Sequence, residues 1–164
     1  MGLVWAGNPE NARDESRSTH LQSYDAFLLD ESLRGHVRFF SLQVGARASE
    51  VQEARYVGVV EDLSPELSAT ADTAGAVLEM DLVITIDTFV AHLAGTLGVA
   101  VWLLLGYAPD WRWLLAREDS PWYPSMRLFR QRAAGDWSAV AARVWDELRR
   151  LPGDRSGTRY SVDC

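Results

Sequence analysis

The sequence predicts an α/β fold in which a parallel sheet of about six strands carries helices on both faces. Two apolar runs, LVITI at 82–86 and VAVWLLL at 99–105, have the length and composition of strands that are buried on both sides. Between them, apolar residues recur at helical spacing from Phe89 until Gly98. Strand, helix and strand together form one right-handed βαβ unit, and similar alternation along the rest of the chain indicates a doubly wound sheet.

Length and charge limit the function classes. The chain has 164 residues, 48% of them hydrophobic, which suits one domain with a substantial core. A formal charge of −7 argues against a nucleic-acid or anionic membrane surface. The single cysteine, Cys164, excludes an internal disulfide, and no apolar run reaches the roughly 20 residues of a transmembrane helix. We therefore expect a cytoplasmic protein without a transmembrane segment or signal peptide.

The remaining elements follow from local patterns. Further strands are predicted at GLVWAG (2–7), HVRFFSLQVG (36–45), YVGVV (56–60) and MRLFRQ (126–131). Further helices are predicted at about 18–28, 46–54, 72–80 and 137–148. The last helix is the clearest, since Asp136 can cap it and Pro152-Gly153 ends it. Residues 1–151 are thus expected to form one domain, and the polar residues 152–164 a disordered tail.

The expected strand order, 3-2-1-4-5-6, places the first and fourth strands side by side. In open α/β sheets, ligands bind where the order reverses, at the carboxyl ends of the strands. The polar loop 7–17, the loop at Gln43 and the helix start at Asp87-Thr88 should therefore open onto one crevice. These segments are the candidate site.

The groups at this crevice favour an anionic ligand. A helix N-terminus offers unpaired N–H donors, Thr88 adds a hydroxyl, and His92 lies one turn later on the same helical face. Phosphate suits these donors, whereas the carboxylate of Asp87 suits a cap or a hydroxyl acceptor. The alternatives are that Asp87 and Thr88 only cap the helix, that His92 is an ordinary half-buried histidine, and that Arg13 and Arg17 are solvated loop charges.

Several other chemistries lack their motifs. The first turn has no G-x-G-x-x-G, and neither a P-loop nor a nucleophile elbow occurs. His20, His36 and His92 show no metal-ligand spacing. Four aromatic residues in the loop after residue 105 could either stack on a base or sugar or pack the loop onto its domain: Trp111, Trp113, Trp122 and Tyr123.

A resemblance to a known family sharpens this interpretation. The chain from about Gly2 to Leu148 resembles the C-terminal half of bacterial glycosyltransferases that follow tetratricopeptide repeats, and it is also similar to the heptosyltransferase family. The similar segments are GLVWAGNPENARDESRS, RFFSLQVG, DLVITIDTFVAHLAGTLGVAVWLLL and DWRWLLAREDSPWYPSMRLFRQ. Most specific is the combination of D-T-x-x-x-H-L-A-G, at 87–95, with the tryptophan-rich loop.

The resemblance implies a GT-B architecture and a set of donor-site residues. Asp87, Thr88 and His92 match the donor-binding motif after the fourth strand, with His92 stabilising the leaving diphosphate. Gln43 stands where the ribose or base is contacted, and Arg13 or Arg17 where the diphosphate is met; Asn8 belongs to the same loop. The position of Phe89 is commonly small in heptosyltransferase-like motifs.

By this resemblance the chain is expected to be the donor half of an inverting glycosyltransferase. Its substrate would be a nucleotide-diphosphate sugar, with no metal and no other cofactor. The acceptor domain and the general base would lie in a separate N-terminal partner, so the isolated chain is expected to be inactive. The alternative is a noncatalytic nucleotide-binding or interaction module left by truncation. A dinucleotide-dependent oxidoreductase is opposed by the missing glycine fingerprint.

Overall fold

The structure is a computed structural model that describes residues 1–151. Six parallel strands form one sheet in the order β3-β2-β1-β4-β5-β6, which confirms the predicted fold class and strand order. The strands are β1 (Gly2–Val4), β2 (Phe39–Ser41), β3 (Val60–Asp62), β4 (Leu82–Ile86), β5 (Ala100–Leu105) and β6 (Met126–Arg130). The predicted tail at 152–164 lies outside the described residues.

Five α-helices accompany the sheet in the described part of the chain: α1 (Asp14–Arg17), α2 (Asp25–Leu28), α3 (Thr70–Leu78), α4 (Phe89–Thr96) and α5 (Trp137–Leu148). Short 3-10 segments lie at Leu21–Tyr24, Glu31–Leu33, Ala46–Gln52, Ser64–Glu66 and Trp111–Trp113. As predicted, the Asp136 side chain caps α5 by accepting a hydrogen bond from the Ala139 N–H at 3.1 Å. Within residues 1–151, no helix is both long and apolar enough to cross a membrane.

The sheet separates two apolar cores. Alternate residues of β4 point to opposite faces, so Leu82 and Ile84 join the core beneath α2 and α5, while Val83 joins the core beneath α3 and α4. The same alternation holds in β5, where Trp102 and Leu103 belong to different cores. Burial on both faces explains why these two strands read as continuous apolar runs.

The third strand was predicted at 56–60, and this is wrong: β3 begins four residues later, at Val60, and ends at Asp62. The residues before Val60 form turns, and Gly58 has a positive φ of 76° that a strand does not use. Tyr56 is buried and donates a hydrogen bond to Asp25 at 2.6 Å, which fixes the turn against α2. Tyr56 is therefore buried because it packs in the core ahead of the strand, and not because it belongs to the strand.

The first two strands are also shorter than predicted. β1 ends at Val4, and the backbone N–H groups of Trp5 and Ala6 donate to the side-chain oxygen of Gln43 at 3.1 and 2.9 Å. The amide of Gln43 thus continues the ladder between β1 and β2 where the backbones diverge. The helices predicted at 18–28 and 46–54 are replaced largely by 3-10 turns, with α2 as the only α-helical turn among them.

Candidate functional site

The carboxyl ends of β1 and β4 meet at a polar crevice, as the strand order requires. The loop after β1 crosses this edge and ends in α1. From α1, the Arg17 side chain reaches the turn after β4, where its Nη1 donates to the backbone oxygen of Asp87 at 3.0 Å. One arginine therefore joins the two segments on either side of the point where the strand order reverses.

A hydrogen-bond network fixes the position of Arg17. Its Nε donates to Asp14 Oδ1 at 3.3 Å, and the same oxygen accepts from the Ser18 hydroxyl at 2.8 Å. Ser18 in turn accepts from the Gly7 N–H at 2.9 Å. A Cβ at Gly7 would lie 2.5 Å from Asp14 Oδ1 and 2.6 Å from Arg17 Nη2, so the network requires glycine there.

The first turn of α4 faces this crevice. Thr88 is the N-cap residue in an extended conformation, yet its side chain accepts no cap hydrogen bond and lies 3.3 Å from the hydroxyl of Thr85. The Asp87 side chain instead lies near His92, with 3.7 Å between Oδ1 and Nε2. The helix start thus keeps its N–H donors without a side-chain cap from Thr88.

His92 lies between a carboxylate and a phenol. Its Nδ1 is 3.0 Å from the Tyr123 hydroxyl, and its ring stacks on Trp113 with 5.3 Å between centroids. Burial lowers the pKa of His92, against the opposing effect of Asp87, so the imidazole is neutral at pH 7. A carboxylate only accepts hydrogen bonds, which favours a proton on Nε2 and leaves Nδ1 to accept from Tyr123.

The tryptophan-rich loop between β5 and β6 contains both buried and exposed aromatic residues. Trp113 is fully buried and packs the loop onto the domain, whereas Trp111 and Trp122 are 74% and 55% exposed. The exposed rings help to line a cavity of about 350 Å³, here called the aromatic cup. Its lining residues are His92, Trp111, Arg112, Trp122 and Tyr123.

Gly95 brings one wall of the cup against α4. A Cβ at this position would lie 2.6 Å from the ring of Tyr123, so a larger residue would push Tyr123 away from the helix. The glycine of the D-T-x-x-x-H-L-A-G motif is therefore a packing requirement of the Tyr123 ring. It also keeps the Tyr123 hydroxyl within reach of His92.

The other predicted residues have different surroundings. Arg13 is exposed and lies 3.8 Å from Asp110 across the edge of the sheet. Asn8 is exposed and accepts from the Glu10 N–H in a turn. Gln43 is buried, and besides its two accepted bonds it donates to the backbone oxygens of Ala6 and Val44. Ligand contacts of these three residues stay predictions.

Sequence reasoning missed the residues that support the site. Asp14 and Ser18 position Arg17, but in an aperiodic polar loop nothing in their pattern distinguishes them from solvated residues. Gly106 also escaped notice, although a glycine directly after a buried strand is a signal of close backbone approach. A Cβ at Gly106 would lie 2.4 Å from the backbone oxygen of Ser16.

Residues 1–151 contain no group of three or more His, Cys, Asp or Glu side chains arranged to hold a metal ion. The predicted metal independence of ligand binding is a separate matter, because phosphate groups can themselves contribute metal ligands. It stays a prediction.

The fold and this edge of the sheet define a Rossmann-like α/β domain with a polar crevice between β1 and β4. Among curated proteins, the chain is similar to Protein FlbA of Caulobacter vibrioides (strain ATCC 19089 / CIP 103742 / CB 15), with 31% identity over 153 residues. The match covers 91% of this chain and 25% of FlbA, so the chain is a distant homologue over most of its length and spans about a quarter of that relative. No protein-family model matches the chain, and no solved structure matches it.

Proposed function

We propose that the crevice binds the diphosphate of a nucleotide sugar and that the chain is the donor half of an inverting glycosyltransferase. The observation that carries this proposal is the position of Arg17, which is hydrogen-bonded to the Asp87 backbone beside the N-terminus of α4. A guanidinium next to a helix N-terminus joins a permanent positive charge to oriented N–H donors. This combination suits a group with several phosphate oxygens.

The proposed chemistry is stabilisation of a leaving group. When the bond from sugar to diphosphate breaks, negative charge develops on the phosphate oxygen, and preorganised donors lower the barrier most effectively there. Arg17 carries five N–H donors, of which two are engaged by Asp14 and the Asp87 backbone. His92 adds a neutral donor one turn along α4 when its Nε2–H turns from Asp87, 3.7 Å away, to a phosphate oxygen. None of these groups has to change protonation state during this step.

The acceptor hydroxyl and the base that deprotonates it are proposed to come from another domain or chain. Inverting transfer needs the acceptor on the sugar face opposite the leaving diphosphate, whereas Arg17, the N-terminus of α4 and His92 are all proposed to bind the diphosphate. FlbA extends well beyond the matched quarter of its length, which leaves ample chain for such a domain in a protein of that kind. Sugar transfer by the 164-residue chain together with such a partner, and not by either alone, would support this division.

Binding is expected to proceed without a divalent metal, because Arg17, the helix N-terminus and His92 can neutralise a diphosphate directly. Calorimetric titration with inorganic pyrophosphate and with UDP, in the presence and absence of EDTA, checks this. Similar affinity under both conditions is expected. Complete loss of binding in EDTA would contradict the metal-free site, and absence of binding under both conditions would contradict the proposed function.

His92→Ala is expected to weaken nucleoside diphosphate binding by roughly 1–3 kcal/mol, the scale of a hydrogen bond to a charged group. The variant also loses the Tyr123 contact and the stack on Trp113, but a side chain that is 34% exposed leaves little sealed cavity. The thermal midpoint should therefore fall only slightly. Calorimetry and thermal unfolding on the same sample measure both effects.

His36→Ala provides the matched control. His36 is exposed and precedes β2, so it lies at the amino ends of the strands, opposite the crevice. This control should change neither the nucleoside diphosphate affinity nor the thermal midpoint. A large fall in thermal midpoint with unchanged affinity in His92→Ala would reject the ligand role and make His92 a structural residue.

A further inference from the structure

The imidazole of His92 is held by two aromatic side chains of the loop between β5 and β6. It stacks on Trp113 with 20° between the ring planes and 5.3 Å between centroids, and Trp113 is fully buried. A stack fixes the plane of a ring but leaves the ring able to rotate within that plane. A hydrogen bond at one ring nitrogen is therefore needed to set the direction in which the other nitrogen points.

Tyr123 supplies that hydrogen bond. Its hydroxyl lies 3.0 Å from His92 Nδ1, and the two rings meet edge to face with 5.8 Å between centroids. On the other side of the imidazole, Asp87 Oδ1 is 3.7 Å from Nε2, which is too long for a hydrogen bond. The Tyr123 contact thus sets the orientation of the ring, whereas Nε2 makes no hydrogen bond to Asp87.

The surroundings of the two nitrogens also decide which of them carries the proton. A phenol can donate or accept, so the Tyr123 contact alone is compatible with a proton on either nitrogen. With the proton on Nδ1, the lone pair of Nε2 would face the Asp87 carboxylate, and the two would repel each other. With the phenol donating to Nδ1, the proton on Nε2 faces the carboxylate. This second arrangement avoids the repulsion and presents a donor to the crevice.

Packing and a backbone contact hold Tyr123 at this distance. A Cβ on Gly95 would lie 2.6 Å from the Tyr123 ring, so the ring presses against α4 at a point where only glycine fits. The Tyr123 backbone oxygen accepts from the Met126 N–H at 3.0 Å, at the start of β6. The phenol is therefore held by the sheet on one side and by the helix of His92 on the other.

We propose that Tyr123 is a positioning residue for the leaving-group donor: its hydroxyl donates to His92 Nδ1, keeps the proton on Nε2 and aims that N–H at the diphosphate. The proposal rests on the proposed function, because it takes the diphosphate to lie at Arg17 and the start of α4. Tyr123 acts through His92 and does not contact the phosphates itself. When the ligand binds, His92 turns from Asp87 to a phosphate oxygen while Nδ1 stays on the phenol.

Nitrogen NMR of the isotope-labelled full chain tests the hydrogen bond without any ligand. The chain has three histidines, so the His92 signals are assigned by their absence in His92→Ala. At a pH where the imidazole is neutral, His92 should show an unprotonated Nδ1 and a protonated Nε2. In Tyr123→Phe the Nδ1 signal should shift, because that nitrogen loses its donor. A wild-type proton on Nδ1, or an Nδ1 signal that ignores Tyr123→Phe, would overturn the proposal.

A double-mutant cycle in pyrophosphate binding separates positioning from direct contact. By calorimetry, Tyr123→Phe should bind pyrophosphate about 2- to 12-fold more weakly than the wild type, the range for one neutral hydrogen bond. In the His92→Ala background the same change should have no further effect, because the residue it acts through is gone. Equal losses in both backgrounds would mean that Tyr123 serves the ligand or the loop directly, and would overturn the positioning role.

Tyr107→Phe is the matched control, since Tyr107 is 60% exposed in the same loop and does not line the aromatic cup. It should change neither the His92 signals nor the pyrophosphate affinity. Gly95→Ala keeps the Tyr123 hydroxyl but displaces its ring, so it should repeat both effects of Tyr123→Phe. Thermal midpoints and near-ultraviolet circular dichroism show that each variant is folded before affinities are compared.

The two measurements also separate this proposal from the proposed function. Pyrophosphate binding that depends on Arg17 and His92 but not on Tyr123 would overturn the positioning role and leave the proposed function standing. A wild-type chain that binds neither pyrophosphate nor UDP would overturn the proposed function, and with it the aim of His92 at a diphosphate. A shifted Nδ1 signal together with weaker pyrophosphate binding in Tyr123→Phe, absent in the His92→Ala background, would support both.

Discussion

Arg17→Met is expected to weaken pyrophosphate and nucleoside diphosphate binding by about 1.5–3 kcal/mol, because hydrogen bonds to charged groups contribute on that scale. The Arg17 side chain is 24% exposed and is held by Asp14 and by the Asp87 backbone, so its charge is preset at the crevice. Methionine keeps much of the aliphatic length and removes the donors. Isothermal titration at constant ionic strength measures the change.

Arg13→Met makes the same change in net charge four residues earlier. Arg13 is 74% exposed, and its ion pair with Asp110 spans 3.8 Å, so its guanidinium is not fixed in the crevice. Its loss should cost at most about 1 kcal/mol of binding free energy, as for other exposed ion pairs. Equal losses in the two variants would show that only the net charge of the loop matters and would contradict a built phosphate site.

The contrast between these arginines shows where sequence reasoning stops. Both residues lie in an aperiodic loop after β1, and the sequence placed both near the crevice without separating them. Their difference depends on α1, a single helical turn that places Arg17 beside Asp14. Four residues carry too little periodicity to predict such a turn.

The central βαβ unit was predictable because its signals are strong and local. β4 and β5 are buried on both faces, and the apolar spacing of α4 left Thr88 and His92 on one face. The strand order then followed from general rules of connection, and the structure confirms it. What the pattern could not give is the partner of each side chain, such as the Tyr123 hydroxyl beside His92.

Gln43 illustrates the limit of residue type as a signal. An amide at the carboxyl end of a strand suits a ribose or base contact, which is how the resemblance places it. In the structure the side-chain oxygen of Gln43 accepts from two backbone N–H groups, and its nitrogen donates to two backbone oxygens. These bonds replace strand pairing where β1 and β2 end. A ligand contact from this side chain would have to be made in addition to these bonds or at their expense.

In the tryptophan-rich loop, too, residue type does not predict the surroundings of each side chain. Burial separates Trp113 from Trp111 and Trp122, although all three share one residue type within a dozen positions. Two residues of the loop, Leu114 and Ala116, have positive φ values of 54° and 53°, which are uncommon outside glycine. The Arg130 side chain holds this turn by donating to the backbone oxygens of Trp113 and Arg117. Such long-range support from β6 is invisible in the loop sequence itself.

Gly106→Ala and Gly75→Ala should have opposite effects on stability. A Cβ at Gly106 would lie 2.4 Å from the Ser16 backbone oxygen, so α1 or β5 must shift, and overpacking of this kind costs about 1–3 kcal/mol of the free energy of unfolding. Gly75 is exposed inside α3 with nothing near its added Cβ, and alanine there should stabilise by roughly 0.5–1 kcal/mol. Urea unfolding of both variants measures these changes.

The same pair tests the link between packing and the proposed site. Ser16 precedes Arg17 in α1, so a displacement that relieves the Gly106→Ala clash would move the guanidinium away from the Asp87 backbone. Pyrophosphate affinity should then fall in Gly106→Ala, measured well below its unfolding transition, and stay unchanged in Gly75→Ala. Gly106→Ala with reduced stability but full pyrophosphate affinity would mean that β5 yields instead of α1. In that case the position of Arg17 would not depend on the packing of Ser16 against Gly106.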